Sequence, residues 1–174
     1  MVETFIEILK YIVPMVVVFA FIYFVIHNYL DQLVNLKQAE VRQQTSSTVL
    51  NIRLQSYERM VLYLDRITPS SLIQRMHKTG MSARLLHTEM LKTIRSEFEH
   101  NIAQQIYMSN ASWELVKSAK EETIKLVNAA FNKVGENGVG IDMCKILLEI
   151  TMNVDKLPTQ IAVDYLKKEI RQSF

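Results

Sequence analysis

The chain has 174 residues, the length of about one domain, and its 20 basic and 18 acidic residues leave a net charge of +2, too balanced for a nucleic-acid-binding protein. Its 4 glycines and 3 prolines are too few for a loop-rich all-β fold or a glycine-rich nucleotide cradle. The single cysteine excludes an internal disulfide and a multi-cysteine zinc cluster.

The N-terminal segment is the most apolar part of the chain. Residues 11–26 read YIVPMVVVFAFIYFVI and carry no charge. As a helix they cover about 24 Å, and their flanks extend this length toward the roughly 30 Å of a bilayer core. Lys10 can extend its ammonium group to the interface. The sequence therefore predicts that residues 8–30 cross a lipid bilayer, with interfacial anchors at Tyr11, Tyr23 and Tyr29.

Two other interpretations of this segment compete with a membrane anchor. A cleaved signal peptide would carry the acidic residues Glu3 and Glu7 in its N-terminal region, and no small-x-small cleavage site follows Ile26. A buried helix of a soluble protein would show a polar stripe, and here apolar residues surround the helix. A lipoprotein signal fails because the only cysteine is Cys144. We therefore favour the anchor.

The charged residues that flank the anchor indicate its orientation. Lys10 precedes it and is offset by two acidic residues, whereas Lys37 and Arg42 follow it. Lys and Arg accumulate on the cytoplasmic side of a membrane helix. The sequence therefore predicts an N-terminus outside and a cytoplasmic C-terminal domain.

A polar segment separates the anchor from the rest of the chain. It is rich in helix formers and contains no glycine or proline, although Ser46, Ser47 and Thr48 lower its helix propensity. It is either a helical stalk or a flexible tether. The expected organisation is an anchor over residues 1–30, a polar stalk or linker over 31–48 and a helical domain over 49–174.

The first helices of the domain follow from apolar spacing and from capping residues. One stripe recurs at intervals of four and three residues, as a helix requires: Leu50, Leu54, Tyr57, Val61 and Leu64. Thr68 and Pro69 predict the start of a short helix that ends near Lys78, with Gly80 at its C′ position. Ser82 can cap the helix that follows.

Two longer stripes predict the central helices. The first comprises Leu91, Ile94, Phe98, Ile102 and Ile106. After a break at Ser109 and Asn110, the second comprises Trp113, Val116, Ile124, Val127, Phe131 and Val134. We expect Leu54, Tyr57 and Phe98 to be buried where helices meet.

The C-terminal part predicts a loop and two more helices. The loop is GENGVG at residues 135–140, and the helices cover residues 141–152 and 160–171, with a turn at Pro158. No segment shows the alternation of a strand, so no sheet is expected. Helices joined by short loops predict an all-α fold in which a transmembrane helix and a polar stalk precede a compact antiparallel helical bundle.

Two stretches of the domain resemble a known kind of protein. NIRLQSYERMVLYLDRITPSSLIQRM at residues 51–76 and IRSEFEHNIAQQIYMSNASWELVKSAKEETI at residues 94–124 are similar to uncharacterised single-pass membrane proteins of Bacteroidota-type bacteria. In that group a short N-terminal anchor precedes a helical domain, and no catalytic motif or substrate is attached to the family. The resemblance implies a bacterial inner-membrane setting.

One motif could contribute to a metal site. Glu97 and His100 form a Glu-x-x-His pair, which places a carboxylate and an imidazole together in di-iron helical bundles. A complete site needs a second such pair, and this chain has only one. Because Phe98 occupies the apolar stripe between them, Glu97 and His100 are expected to be solvated residues near the surface.

The other histidines and the cysteine have structural interpretations. His27 is expected at the membrane edge and His77 near a helix end, while His87 cannot share a helical face with Glu89, two positions away. Cys144 lies in an apolar setting and is expected to be buried and inert. Ser70, Ser71 and Ser82 occupy capping positions.

Three further patterns have similarly plain explanations. The glycines of residues 135–140 have the wrong spacing for a dinucleotide-binding loop and follow a helix, so they predict a turn. The sequon at Asn110 coincides with a helix start. Two basic groups are interleaved with acids and are expected to be solvated faces, although either could contact anionic headgroups: Arg84, Lys92 and Arg95, and Lys167, Lys168 and Arg171.

These observations lead to one expectation of function. We expect a non-enzymatic, membrane-anchored helical module that binds other proteins, as an accessory or scaffold subunit of a bacterial inner-membrane complex. A metal-binding helical enzyme and a membrane-surface lipid-binding protein are the alternatives. No catalytic, cofactor-binding or metal residue is assigned, and no cofactor is expected. The expected partners are other membrane-complex proteins and the lipid bilayer, with no nucleic acid and no small-molecule substrate.

Overall fold

The computed structural model describes the backbone of residues 2–172, and the side chains of these residues except 2–11, 13, 14, 35 and 39. Over this range the ordered elements are helical, with Ser82 and Val139 forming one isolated bridge, so the all-α class is confirmed. The predicted roles of Lys10 and Tyr11 lie outside the described side chains. The helices are α1 (Val2–Arg66), α2 (Pro69–Met76), α3 (Ala83–Asn101), a 3₁₀ helix (Ile102–Tyr107), α4 (Asn110–Val134), α5 (Gly140–Met152) and α6 (Pro158–Gln172).

The chain divides into two compact units, Met1–Val49 and Leu50–Phe174. The first unit consists of the N-terminal part of α1, which is helical throughout the polar segment 31–48. By length and composition alone, the part of α1 from Met15 onward contains a stretch of 18 residues apolar enough to cross a membrane, with a mean hydropathy of 1.5. The large apolar side chains described between Met15 and Leu30 are 46–71% exposed, so this unit presents an apolar surface.

The C-terminal part of α1 supplies one wall of the core of the second unit. Its buried face consists of Tyr57, Met60, Tyr63, Leu64 and Ile67. Tyr57 and Leu64 belong to the predicted stripe, but Leu54 is half-buried, which corrects the expectation of its burial. Met60 and Tyr63 were missed because the contact face of this segment is wider than the single apolar stripe.

The short helix α2 begins as its sequence predicts. Thr68 is the N-cap, its Oγ1 accepts the Ser71 N–H at 3.3 Å, and Pro69 is the first helical residue. The predicted end is wrong, because α2 stops at Met76 and His77 adopts an extended conformation. Gly80 has a positive φ of 82°, but it occupies the turn that follows rather than the C′ position of α2.

Helix α3 buries one residue of its predicted stripe, Ile94, together with Leu86 and Met90, which the predicted stripe did not include. Ser82 caps the helix as predicted. The continuation to Ile102 and Ile106 is wrong, since these side chains are 47% and 75% exposed. The α-helix ends at Asn101, whose φ of −109° and ψ of 2° are not helical. The 3₁₀ turns that follow rotate the two isoleucines away from the buried face.

Helix α4 is the centre of the domain, because α3, α5 and α6 all contact it. Ser109 caps it, as predicted, and its described core residues are Val116, Ala119, Thr123, Val127 and Ala130. The predicted loop at residues 135–140 docks on the start of α3, where the Gly140 N–H donates to the Met81 carbonyl at 2.8 Å. A Cβ atom on Gly140 would lie 2.7 Å from the Met81 carbonyl oxygen, so this contact requires glycine.

Candidate functional site

An open polar cleft of about 620 Å³ lies between the C-terminal part of α1 and the exposed face of α3. Arg59 and Arg66 come from α1, and the remaining lining residues come from α3. They recur at helical spacing along one face of α3: Glu89, Lys92, Thr93, Ser96, Glu97, His100 and Asn101. The cleft is lined by polar and charged side chains, and it contains the Glu-x-x-His pair.

The Glu97 carboxylate is held by two guanidinium groups. Arg66 Nη1 donates to Oε2 at 3.2 Å, and Arg75 Nη2 donates to Oε1 at 3.0 Å. The Glu97 side chain is only 18% exposed, so the expectation of a solvated residue is wrong. Arg75 and Arg66 precede Glu97 by 22 and 31 positions, so no local signal in the sequence links them to it.

The protonation of Glu97 follows from this environment. Partial burial opposes ionisation, but the hydrogen bonds and positive charges of Arg75 and Arg66 outweigh it and lower the pKa of Glu97. The carboxylate therefore stays ionised as an acceptor for both arginines. A metal ion at Glu97 would have to displace two charge-assisted hydrogen bonds.

His100 lies at the other end of the motif and faces solvent, as predicted. Its Nδ1 lies 2.6 Å from the Ser96 carbonyl oxygen. Because a carbonyl can only accept, Nδ1 carries the hydrogen in this contact, and Nε2 is left for outside partners. No group of three or more metal-ligating side chains forms within the part of the chain that the structure describes.

An aromatic cluster supports the α1–α3 packing. The Tyr63 and Phe98 ring centroids are 5.9 Å apart, and Phe98 stacks on Trp113 at 5.3 Å. Lys120 Nζ lies 4.3 Å from the Phe98 ring centroid. Burial, together with the nearby negative charges of Glu121 and Glu97, raises the pKa of Tyr63. Phe98 is half-buried rather than fully buried, which corrects the prediction for this residue.

A second polar site, which is partly buried, joins α6 to the start of α4. The Ser109 and Ser112 hydroxyls both donate to Oε2 of Glu169, the former at 3.0 Å. Burial opposes ionisation of Glu169, but the hydrogen bonds from Ser112, Ser109 and Tyr57 and the charge of Arg53 lower its pKa. A carboxylate at the N-terminal turn of α4 also interacts favourably with the helix dipole. This cluster is a tertiary helix cap, and only its Ser109 component could be predicted locally.

The remaining sequence-predicted residues occupy separate places. His27 is exposed and pairs with Asp31 at 3.0 Å, and His77 forms the C-cap of α2. His87 Nε2 lies 2.7 Å from Asn128 Oδ1, and its ring stacks on Phe131. Cys144 is buried, as predicted, and burial raises the pKa of its thiol.

Helix α5 carries an unusual outer face. Met143, Cys144 and Leu147 are buried in the core. Next to this buried face, Ile141 is 45%, Leu148 41% and Met152 86% exposed. Their spacing of seven and four residues places them on one helical face, which we call the α5 surface. Sequence periodicity could not separate the exposed apolar residues from the buried ones because the two sets lie on adjacent sides of this helix.

The model of a family of unknown function, DUF7935, matches residues 3–173. The chain belongs to this family. DUF7935 membership agrees with the resemblance to an uncharacterised family. No curated protein and no solved structure matches the chain.

Proposed function

We propose that this DUF7935 protein is a non-enzymatic, single-pass membrane-anchored module whose helical domain binds another protein. In this proposal it is an accessory or scaffold subunit of a bacterial inner-membrane complex, in a bacterium of the Bacteroidota type. Its anchor comprises residues 8–30, and its domain is cytoplasmic. The observation that carries the proposal is the apolar α5 surface.

The α5 surface supports a protein partner because of its composition and arrangement. Single exposed apolar side chains are common on monomers, but Ile141, Leu148 and Met152 follow one another along a single helical face. An apolar face of this kind packs well against the apolar face of a partner helix. The charged residues beside it, Asp142 and Lys145, already pair with each other at 3.3 Å.

The N-terminal part of α1 supports the membrane attachment. Its apolar side chains between Met15 and Leu30 are exposed on the helix, with no polar face to meet water. Lipid would cover these apolar side chains. The backbone can also lie in lipid, because each backbone group of a helix is already hydrogen-bonded within the segment. Lys37 and Arg42 support the cytoplasmic placement of the domain.

The chemistry of the polar cleft supports a binding role over a metal enzyme. Glu97, the acidic residue of the Glu-x-x-His pair, already binds Arg66 and Arg75. Glu89 lines the same cleft. The one motif with metal-site spacing is thus part of an ion-pair network between helices.

Site-specific photo-crosslinking in the native cell tests the proposal. A photoreactive residue at Leu148 of the full-length chain should yield one discrete adduct with a second protein. The same residue at Asn132, which is exposed on α4, is the matched control. Equal adduct patterns at the two positions, or adducts with lipid alone at Leu148, would contradict the proposal.

A further inference from the structure

A second cavity lies beside the polar cleft on the same helix and shares one lining residue with it. The second cavity has a volume of about 520 Å³ and is lined by residues that include Arg75, Lys78 and Leu85. Glu89 lines both cavities, and Arg75 reaches into the first through its bond to Glu97. We call the combined surface the α3 groove. Its floor is the exposed face of α3 from Leu85 to Asn101.

The α3 groove carries an excess of positive charge. Its five cations are Arg59, Arg66, Arg75, Lys78 and Lys92, whereas its only lining acids are Glu89 and Glu97. Glu97 pairs with two arginines, so this group of three side chains keeps a net charge of +1. Arg59 and Lys92 have no ion-pair partner among the described residues. Since the whole chain has a net charge of only +2, the excess is a local property of this surface.

The geometry of Glu97 shows which anion the groove accommodates. A carboxylate sits there between two guanidinium groups, at 3.2 Å and 3.0 Å. Arg66 is 56% exposed, and Glu97 binds only one of its nitrogens, so its other N–H groups are accessible to a further acceptor. Guanidinium groups bind carboxylates through paired, charge-assisted hydrogen bonds. A carboxylate from outside can therefore be bound by the same chemistry.

The length of the groove points to a peptide segment. At about 1.5 Å per residue, the stretch of α3 from Leu85 to Asn101 is roughly 24 Å long, the reach of about seven extended residues. A single phosphate or a small carboxylate would fill only a fraction of it. We infer that the α3 groove binds an acidic, extended segment of a partner protein, with Arg59 and Lys92 as its principal cations. This inference rests on the proposed function only in taking a protein as the partner, and it concerns a surface separate from α5.

Fluorescence anisotropy on the full-length protein in detergent micelles tests the inference. The probe is a short labelled peptide of alternating Glu and Ala, and the same peptide with Gln in place of Glu is the neutral control. The test variant is Arg59→Gln with Lys92→Gln. The matched control is Lys133→Gln with Lys168→Gln, which removes the same charge from exposed positions outside the groove. Circular dichroism verifies that both variants keep the wild-type helicity.

The Glu peptide should bind saturably, and the Gln peptide should not. The groove variant should weaken binding by about tenfold, and the control variant by less than about twofold, because Arg59 and Lys92 line the groove and the two control lysines do not. Equal weakening in both variants would overturn the inference, as would the absence of saturable binding. Displacement of the peptide by inorganic phosphate at constant ionic strength would also overturn it and would assign the groove to phosphate.

The crosslinking experiment and the peptide-binding experiment have independent outcomes. Crosslinking from Leu148 uses a chain with an intact α3 groove, so its result does not depend on the acidic peptide. An adduct at Leu148 together with unchanged peptide binding in the groove variant would contradict this inference and leave the proposed function in place.

Discussion

Arg75 Nη2 at the end of α2 lies 3.0 Å from Glu97 Oε1 in the second half of α3. The other oxygen of the same carboxylate binds Arg66 at the C-terminal end of α1. One side chain thus connects three consecutive helices at the edge of the α3 groove. The link also orders the two arginines, which would otherwise be free to rotate in solvent.

Replacing Glu97 tests the strength of this link. Glu97→Gln should lower the free energy of unfolding by about 1 kcal/mol, a modest value because both guanidinium groups are partly in solvent. The control is Glu99→Gln, which makes the same charge change at an exposed position of the same helix. Urea unfolding of the full-length chain at neutral pH measures both. A loss as large for Glu99→Gln would show that only net charge matters.

The pH dependence of stability follows from the lowered pKa of Glu97. A carboxyl whose folded pKa lies below its unfolded value stabilises the fold above the unfolded pKa, and this stabilisation is lost as the pH falls through the folded value. The wild-type chain and Glu97→Gln should therefore differ at neutral pH and converge below the ordinary Glu pKa of 4.5. Unfolding curves recorded across this range measure the difference, and a constant gap would contradict the assignment.

The tertiary cap of α4 gives a second mutational test. Ser112 is fully buried, and its hydroxyl donates to Glu169. Ser112→Ala should destabilise the chain by about 1–2 kcal/mol, because a partly buried carboxylate loses a hydrogen bond. It should also raise the pKa of Glu169 toward its ordinary value. Ser118→Ala, at an exposed position of the same helix, should change the free energy of unfolding by less than about 0.5 kcal/mol.

The core face of α1 can be tested with two residues that lie two positions apart. Met60 is fully buried and Leu62 is 51% exposed. Met60→Ala should cost about 2–5 kcal/mol through lost burial and a residual cavity. Leu62→Ala should cost much less, although Leu62 belongs to the more hydrophobic residue type. Chemical unfolding of both variants measures the difference, and similar losses would mean that this face is misassigned.

Local signals predicted where the helices of the domain begin. Thr68, Ser82 and Ser109 are N-caps in the structure, and each accepts a hydrogen bond from the backbone three residues later. Such a cap depends only on its own short segment, so the sequence suffices to identify it. Pro69 at the first helical position is predictable for the same reason.

Contacts between distant segments account for most of what the sequence did not reveal. Apolar spacing alone also cannot show that α3 ends at Asn101, where the backbone leaves the helical conformation and Ile102 turns away from the buried face. The arginine partners of Glu97 come from two other helices, and the exposure of Leu148 depends on which side of α5 meets the core. These features are properties of tertiary packing.

The orientation of the anchor is tested by a reporter fusion. A reporter that is active only in the cytoplasm should be active when fused after Phe174, because Lys37 and Arg42 favour a cytoplasmic location for the C-terminal side of the anchor. Removing both charges should weaken this preference, so Lys37→Gln with Arg42→Gln should lower the cytoplasmic signal. Activity of a periplasmic reporter at the same position in the unmodified chain would reverse the orientation.

The independence of the helical domain gives the last test. The buried apolar residues of the described chain all lie in the second unit, so they can satisfy one another without lipid. We expect the fragment of residues 48–174 to be soluble, strongly helical by circular dichroism and cooperative in thermal unfolding. Tyr57, Met60 and Leu64 are buried within this unit, and the fragment should therefore be monomeric by light scattering.

Two variants separate this expectation from self-association through α1. Leu54 is half-buried at the start of the domain. Leu54→Asp should lower the free energy of unfolding of the fragment without changing its monomeric state. Leu148→Asp on the α5 surface is the matched control, since it adds the same charge at a position 41% exposed. A dimer that only Leu54→Asp dissociates, with helicity retained, would mean that the first stripe of the domain joins two copies. A dimer that only Leu148→Asp dissociates would assign the α5 surface to a second copy of the chain.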